Sequence, residues 1–265
     1  MSKEYEHIKA RIEGGVGVLT LNRPKQYNAM TPEMMSEVMM LLEAWTNNDR
    51  VRVLLIDAEG KGFSAGGDLD FLDTLTKMTP NQIRSEVYTY FATGIKKIKT
   101  FPKPTVAAVN GAAVGGGFEI ALACDFRIAS TKAMFQEAWI NLGLITPLGG
   151  MYLLPRLVGL SLANEMLMMG RKVFGVEAGD VGLANKVVEP EELGAAAMDW
   201  ANRLAAGPPL GLQSMKEGIR RGMDMSLADE WEHSVYVQSI LLNTDDFAEG
   251  VNAVREQRKP VFQGK

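Results

Sequence analysis

Residues 103–130 read KPTVAAVNGAAVGGGFEIALACDFRIAS, and their reading decides the fold. TVAAVNG has the composition of a buried strand, AAVGGG reads as a tight turn, FEIALACD as a helix and FRIAS as a further short strand. The same unit occurs earlier, where VRVLLIDAEG (51–60) supplies a buried strand and KGFSAGGDLDFL (61–72) a glycine-containing turn. A chain that alternates such strand-turn-helix units is of the α/β class.

The flanks agree with that reading. HIKARIEGGVGVLTLN (7–22) alternates apolar and polar residues about Gly14 and Gly15, which predicts a β-hairpin. Thr31 is placed to cap a helix whose first residue is Pro32, with Met34, Met35, Val38, Leu41, Leu42 and Trp45 as its apolar stripe. NQIRSEVYTYFATGIKKIKT (81–100) reads as a helix ended before Pro102 and Pro104, and AMFQEAW (133–139) as a short strand. From about Glu191 every segment carries helical periodicity, so the chain divides into an α/β core over 1–190 and a helical region over 191–265.

Composition narrows the chemistry. With 265 residues and 46% hydrophobic content the chain has ample material for a core. A net charge of -4 without a long basic run argues against nucleic acid or an anionic membrane held by bulk electrostatics. One cysteine, Cys124, excludes an intrachain disulfide and a cysteine zinc cage and suits a reducing compartment. Two histidines, His7 and His233, leave little for a His-oriented nucleophile or a His-rich metal site. Carboxylates and backbone donors remain. The start, MSKEYEHIKARIEG, carries no apolar leader, and no apolar run reaches roughly 18 residues, which predicts a cytoplasmic protein. The sixteen methionines read mostly as core filling and oligomer packing.

FSAGGDL and GAAVGGGFE both put glycines between a strand and a helix, where a ligand can approach backbone N–H groups closely. Taken singly, each is equally a tight turn in a crowded sheet. Side by side, two helix N-termini would hold an oxygen that becomes negative during reaction, which is an oxyanion hole. Neither turn has the spacing of a dinucleotide or nucleotide loop. Glu119 lies three residues after Gly116 and so on the same helix face, and its apolar neighbours Phe118, Ile120, Ala121 and Leu122 favour a buried role over a solvated one.

Five ordered blocks, LTLNRPKQYNAM (19–30), GFSAGGDL (62–69), residues 103–130, FQEAWINLGLITPLGG (135–150) and DFAEGVNAVREQRKPVFQGK (246–265), make the chain resemble the enoyl-CoA hydratase/isomerase, or crotonase, family from about Val16 onward. The resemblance implies a spiral of ββα repeats with a C-terminal helical trimerisation region, assembled as a homotrimer or a dimer of trimers. It implies an acyl-CoA thioester substrate whose carbonyl oxygen accepts hydrogen bonds from the N–H groups of Gly67 and Gly116. Coenzyme A then enters as part of the substrate, and no metal or redox cofactor is expected. Lys25 and Ala29 are implied near the nucleotide part of the coenzyme and Ala65, Asp68 and Leu69 along the pantetheine, with Gly115 also among the substrate-binding residues. Asp68 also suits a helix N-cap.

In hydratases of the family a Glu at the position of Glu119 works with a second Glu. Four residues before the Gly of NLG, where that second Glu is implied, stands Trp139. Trp139 reads either as a pocket residue against the acyl group or as core. If residues 135–139 are extended, Phe135, Glu137 and Trp139 share a face, so Glu137 is either a substitute acid or part of a structural ion pair. The family's dehalogenases carry a Trp in a similar context, but the nucleophilic Asp implied eight residues later is Pro147 here. The usual isomerase acid is also missing, since no Asp or Glu lies between Ile140 and Leu154. The expected activity is therefore hydration of a 2-enoyl-CoA through a stabilised enolate. The alternatives are double-bond isomerisation, decarboxylation, carbon-carbon hydrolysis, or acyl-CoA binding without turnover.

Overall fold

A computed structural model describes residues 5–265, so the first four residues of the stretch read for a leader lie outside the description. The chain opens with β1 (Ile8–Glu13) and β2 (Val16–Leu21), an antiparallel hairpin in which Glu13 faces Val16 across Gly14 and Gly15. Both glycines have positive φ, 56° and 89°, the conformation this tight turn requires. Next come α1 (Pro32–Thr46), capped by the Thr31 hydroxyl accepting from the Met34 N–H at 3.3 Å, and β3 (Val53–Ala58). All six residues of the α1 stripe are buried.

A short α2 (Leu69–Leu75) leads to α3 (Pro80–Gln82), which continues through a π-helical turn at Ile83–Val87 into α4 (Tyr88–Lys99). The helix expected over 81–100 is thus interrupted near its start. Then follow β4 (Thr105–Val109), β5 (Ala112–Val114), α5 (Gly116–Ala123), β6 (Phe126–Ser130) and β7 (Met134–Gln136). AAV is therefore a strand and not part of a turn, paired in parallel with β7, and Gly115 alone makes the corner. AMFQEAW is a strand only to Gln136. Beyond it Ala138–Leu142 forms a 3-10 turn, so the period-two alternation does not reach Trp139.

The remaining elements are α6 (Gly150–Met169), broken at Gly159 where φ is 77°, β8 (Val173–Phe174), α7 (Gly175–Asp180), β9 (Lys186–Val188) and four helices, α8 (Leu193–Ala205), α9 (Pro209–Gly222), α10 (Leu227–Leu241) and α11 (Asp245–Arg255).

Six strands form one sheet in the order β1-β2-β3-β4-β6-β9, parallel except at the hairpin, and β5-β7-β8 form a second. Isolated parallel bridges, Met30 with Gly67 and Ser64 with Ala113, extend the second sheet. Successive turns of the chain therefore supply one long strand, one short strand or bridge, and a helix. That is the ββα spiral.

The central strands are buried on both faces, which explains their continuous apolar runs. Val16, Val18, Val53, Leu55, Val106, Ala108 and Ile128 pack against Leu193, Ala197, Ala201 and Ala205 of α8. Leu19, Leu21, Leu54, Ile56, Ala107 and Val109 point the other way, into the core shared with α1, α4 and α5. The first helix after Glu191 thus covers the sheet, whereas α9 and α10 bury no residue fully.

Candidate active site

The two glycine turns meet. At Gly66, where φ is 88°, an added Cβ would lie 2.6 Å from the Val114 carbonyl oxygen and 3.5 Å from the Gly116 nitrogen. At Gly117 it would lie 2.4 Å from the Ser64 carbonyl oxygen. Only backbones without side chains approach this closely. The contact sets Gly67 and Gly116 along one cavity. The bridge to Met30 runs through the residues flanking Gly67, Met30 N–H to Gly66 O at 2.7 Å and Asp68 N–H to Met30 O at 3.1 Å, so the Gly67 amide faces away from it. Gly116 is the first residue of α5, and its N–H has no helical acceptor.

Glu119 lies one turn into α5 with 1% of its surface exposed. Its Oε1 accepts from the Leu148 N–H at 2.8 Å and the Gly150 N–H at 3.0 Å, and its Oε2 from the Trp139 indole N–H at 3.2 Å. Burial pushes the Glu119 carboxyl up to about 7, against these three donors, which favour the anion. Such a group exchanges a proton near neutral pH, as a general acid-base must. The expected placement of Glu119 beside the Gly116 donor and the pocket position of Trp139 both have their geometry here. The 3-10 turn after β7 is what carries Trp139 back toward α5, with the Gly115 corner 3.4 Å from its ring when a Cβ is added there.

Glu137 is fully buried, and no salt bridge reaches it among the described residues, contrary to its reading as an ion-pair member. Its Oε2 accepts from the Thr146 hydroxyl at 3.5 Å, while Oε1 has no partner. Burial first, then the Glu119 charge, drive its carboxyl further up.

The cavity beside the glycines is lined by Met30, Phe71, Leu72, Leu75, Val87, Tyr88, Phe91, Trp139, Leu144, Pro147 and Leu148, with Tyr88 the lone hydroxyl. Its walls come from α2, the start of α4 and the loop before α6.

The coenzyme residues lie on two stitched loops. Asn28, at φ 55°, donates to the Glu59 and Gly62 carbonyls at 2.9 and 3.0 Å, and the Ala65 N–H donates to Tyr27 O at 2.9 Å. Lys25 and Ala65 are exposed on these loops, Leu69 is 77% exposed, and Ala29 is buried with its carbonyl accepting from the Arg23 guanidinium.

Two of the residues implied along the substrate have their backbone N–H groups engaged within the protein. Asp68 caps α2 by accepting from the Phe71 N–H at 3.3 Å and pairs with Arg23 at 3.1 Å. Its own N–H is taken by Met30, so it has no donor left for pantetheine. Gly115 donates its N–H to Gln136 O at 2.8 Å and is likewise unavailable as a donor. Sequence reasoning missed Asn28, Thr146 and the Leu148 and Gly150 amides. The ITPLGG stretch holds no acid, and its contribution is two backbone donors. No group of three or more His, Cys, Asp or Glu side chains is arranged for a metal ion among the described residues.

Comparison with known proteins gives a consistent picture. The family model described as enoyl-CoA hydratase/isomerase matches residues 11–265. A trans-2-decenoyl-[acyl-carrier-protein] isomerase of Streptococcus mutans is 34% identical over 99% of this chain and 100% of its own length. A crotonyl-CoA hydratase of Syntrophomonas wolfei is 34% identical over 98% of this chain and 99% of its own. The crystal structure of an enoyl-CoA hydratase from Bacillus anthracis superposes with a TM-score of 0.92 at 30% identity, covering 98% of this chain and 100% of that one.

Proposed function

Since the chain belongs to the enoyl-CoA hydratase/isomerase family, we propose that Glu119 carries the proton transferred at the carbon beside a thioester carbonyl while the Gly67 and Gly116 amides hold the enolate oxygen. The chain is an acyl-CoA-processing enzyme of hydratase/isomerase type. One observation carries the assignment of roles: a buried carboxylate one helical turn from Gly116, whose amide shares a cavity with that of Gly67.

Adding to, or deprotonating, a carbon next to a thioester places negative charge on the carbonyl oxygen. Preorganised amides stabilise that charge by about 2.7–4 kcal/mol per donor. For hydration, Glu119 takes a proton from water as its oxygen attacks the β-carbon, then returns the proton to the α-carbon of the enolate. Proton transfer and charge stabilisation are both met by protein groups, so the reading calls for no metal or redox cofactor, and coenzyme A is part of the substrate. The uncharged lining of Phe71, Leu72, Leu75, Phe91 and Leu144 supports an apolar acyl group. Lys25, Ala29, Ala65 and Leu69 are the residues proposed along the coenzyme.

Isomerisation is the second reading, and Trp139 favours it. An indole stands where a second carboxylate would help to hold water, and one carboxylate suffices to take a proton from the γ-carbon and return it to the α-carbon. We further propose that the enzyme works in the cytoplasm as a homotrimer or a dimer of trimers. The test is mass spectrometry of a panel of 2- and 3-enoyl-CoA thioesters. A gain in mass of one water identifies hydration, and a shifted double bond at constant mass identifies isomerisation. Binding without either product across the panel contradicts the assignment.

A further inference from the structure

Glu119 and Glu137 approach the same point. A Cβ built on Gly150 would lie 2.7 Å from Glu137 Oε1 and 3.4 Å from Glu119 Oε1. Glu137 has no exposed surface, Glu119 has 1%, and the charged or titratable groups that bear on the pair are each other and Tyr88, with no cation among them. Two like charges cannot both persist in so dry a compartment. The hydrogen bonds decide where the single charge rests. Glu119 receives two amides and an indole N–H, all of which favour a carboxylate, whereas Glu137 has one long contact to Thr146 and an oxygen with no partner.

We propose that the two carboxyls act as a charge-coupled pair in which Glu119 carries the charge and Glu137 the proton, making Glu137 a positioning residue whose neutrality keeps a second negative charge away from Glu119. The functional half of this rests on Glu119 being the acid-base. When Glu119 takes a proton from carbon, the C–H bond breaks, an O–H bond forms on Glu119, and the electron pair passes to the thioester oxygen held by the glycine amides. Both buried carboxyls are then neutral. Ionising Glu137 would instead leave two negative charges beside a developing enolate, which opposes the step.

The test has two arms. Infrared spectra of the wild-type enzyme in H2O and D2O, taken from neutral to alkaline pH, should show a buried protonated carboxyl that persists above the titration of Glu119 at about 7 and is missing there in Glu137→Gln. The pH profile of kcat on the turned-over thioester should fall at alkaline pH in wild type, and Glu137→Gln should lose that fall. Above the titration of Glu119, no protonated-carboxyl band in wild type or a band that persists in Glu137→Gln overturns the pairing, as does an alkaline fall retained by that variant. So does a Glu137→Gln loss equal to that of Glu119→Gln at every pH, which would make Glu137 a base in its own right. The infrared arm needs no turnover, so failure of the acid-base reading leaves its result standing.

Discussion

Three donors and a dry pocket tune one carboxyl, and that is where the chemistry of this chain resides. Glu119→Gln keeps the volume and removes the proton carrier, so kcat should fall by about 100- to 10,000-fold in steady-state rates while calorimetry still shows a cooperatively folded protein. The same carboxyls link stability to pH. Both are raised above the unfolded carboxyl value of about 4.3, so the folded state holds more protons than the unfolded one above that pH. Their contribution is complete at acid pH and is lost as pH rises. Stability should therefore decline as pH rises above about 4.3, up to about 7 for the Glu119 part and about 10 for the Glu137 part, and Glu137→Gln should remove up to about 1.4 kcal/mol per pH unit of that slope in paired denaturation series. Glu119 was legible in the sequence because it follows a glycine donor by three residues among apolar neighbours. The partners Leu148 and Gly150 were not, because they contribute amides that every residue possesses and only the fold aims.

At the scale of elements, the site depends on two strand-to-helix turns touching through glycine. Gly117→Ala would put a methyl 2.4 Å from the Ser64 carbonyl oxygen, a clash with backbone that no side-chain movement relieves. It should cost about 1–3 kcal/mol and, by parting the amides of Gly67 and Gly116, lower kcat more than KM rises. Asp68 works differently. Asp68→Ala removes the N-cap of α2 and the partner of Arg23, so it should cost at least about 1 kcal/mol and loosen the pocket wall that Phe71 and Leu72 supply. Hydrogen exchange over residues 69–75 would register that loosening. Elements with strong local signals were readable: the Gly-Gly hairpin, the capped α1 and the buried strands. The AAV strand and the end of β7 were not. Their states are fixed by pairing with each other and by the Gly115 bond to Gln136, which are tertiary facts.

For the molecule as a whole, the ββα spiral forms one layered core, and α8 closes the far face of its sheet. The helices beyond it present Met215, Ile219, Leu227 and Trp231 to the surface, each at least 66% exposed in the single chain. These large apolar side chains on neighbouring helices are where the proposed assembly would bury its surface. Sedimentation should give a particle of three or six 29.0 kDa chains, and Ile219→Asp paired with Trp231→Ser should shift it toward smaller species. A monomer in the unaltered protein would contradict the oligomeric proposal. The helical periodicity after Glu191 was plain in the sequence, but periodicity alone did not separate α8, which belongs to the core, from α9 and α10, which bury nothing fully.

The central claim is that Glu119 exchanges a proton with the carbon beside a thioester held by the Gly67 and Gly116 amides. Its most direct test is deuterium incorporation into an acyl-CoA substrate incubated in D2O, followed by mass spectrometry with wild-type and Glu119→Gln enzyme. The account predicts deuterium at the carbon next to the carbonyl with wild type and essentially none with the variant. Equal incorporation by both proteins would contradict it and move the acid-base role to another group.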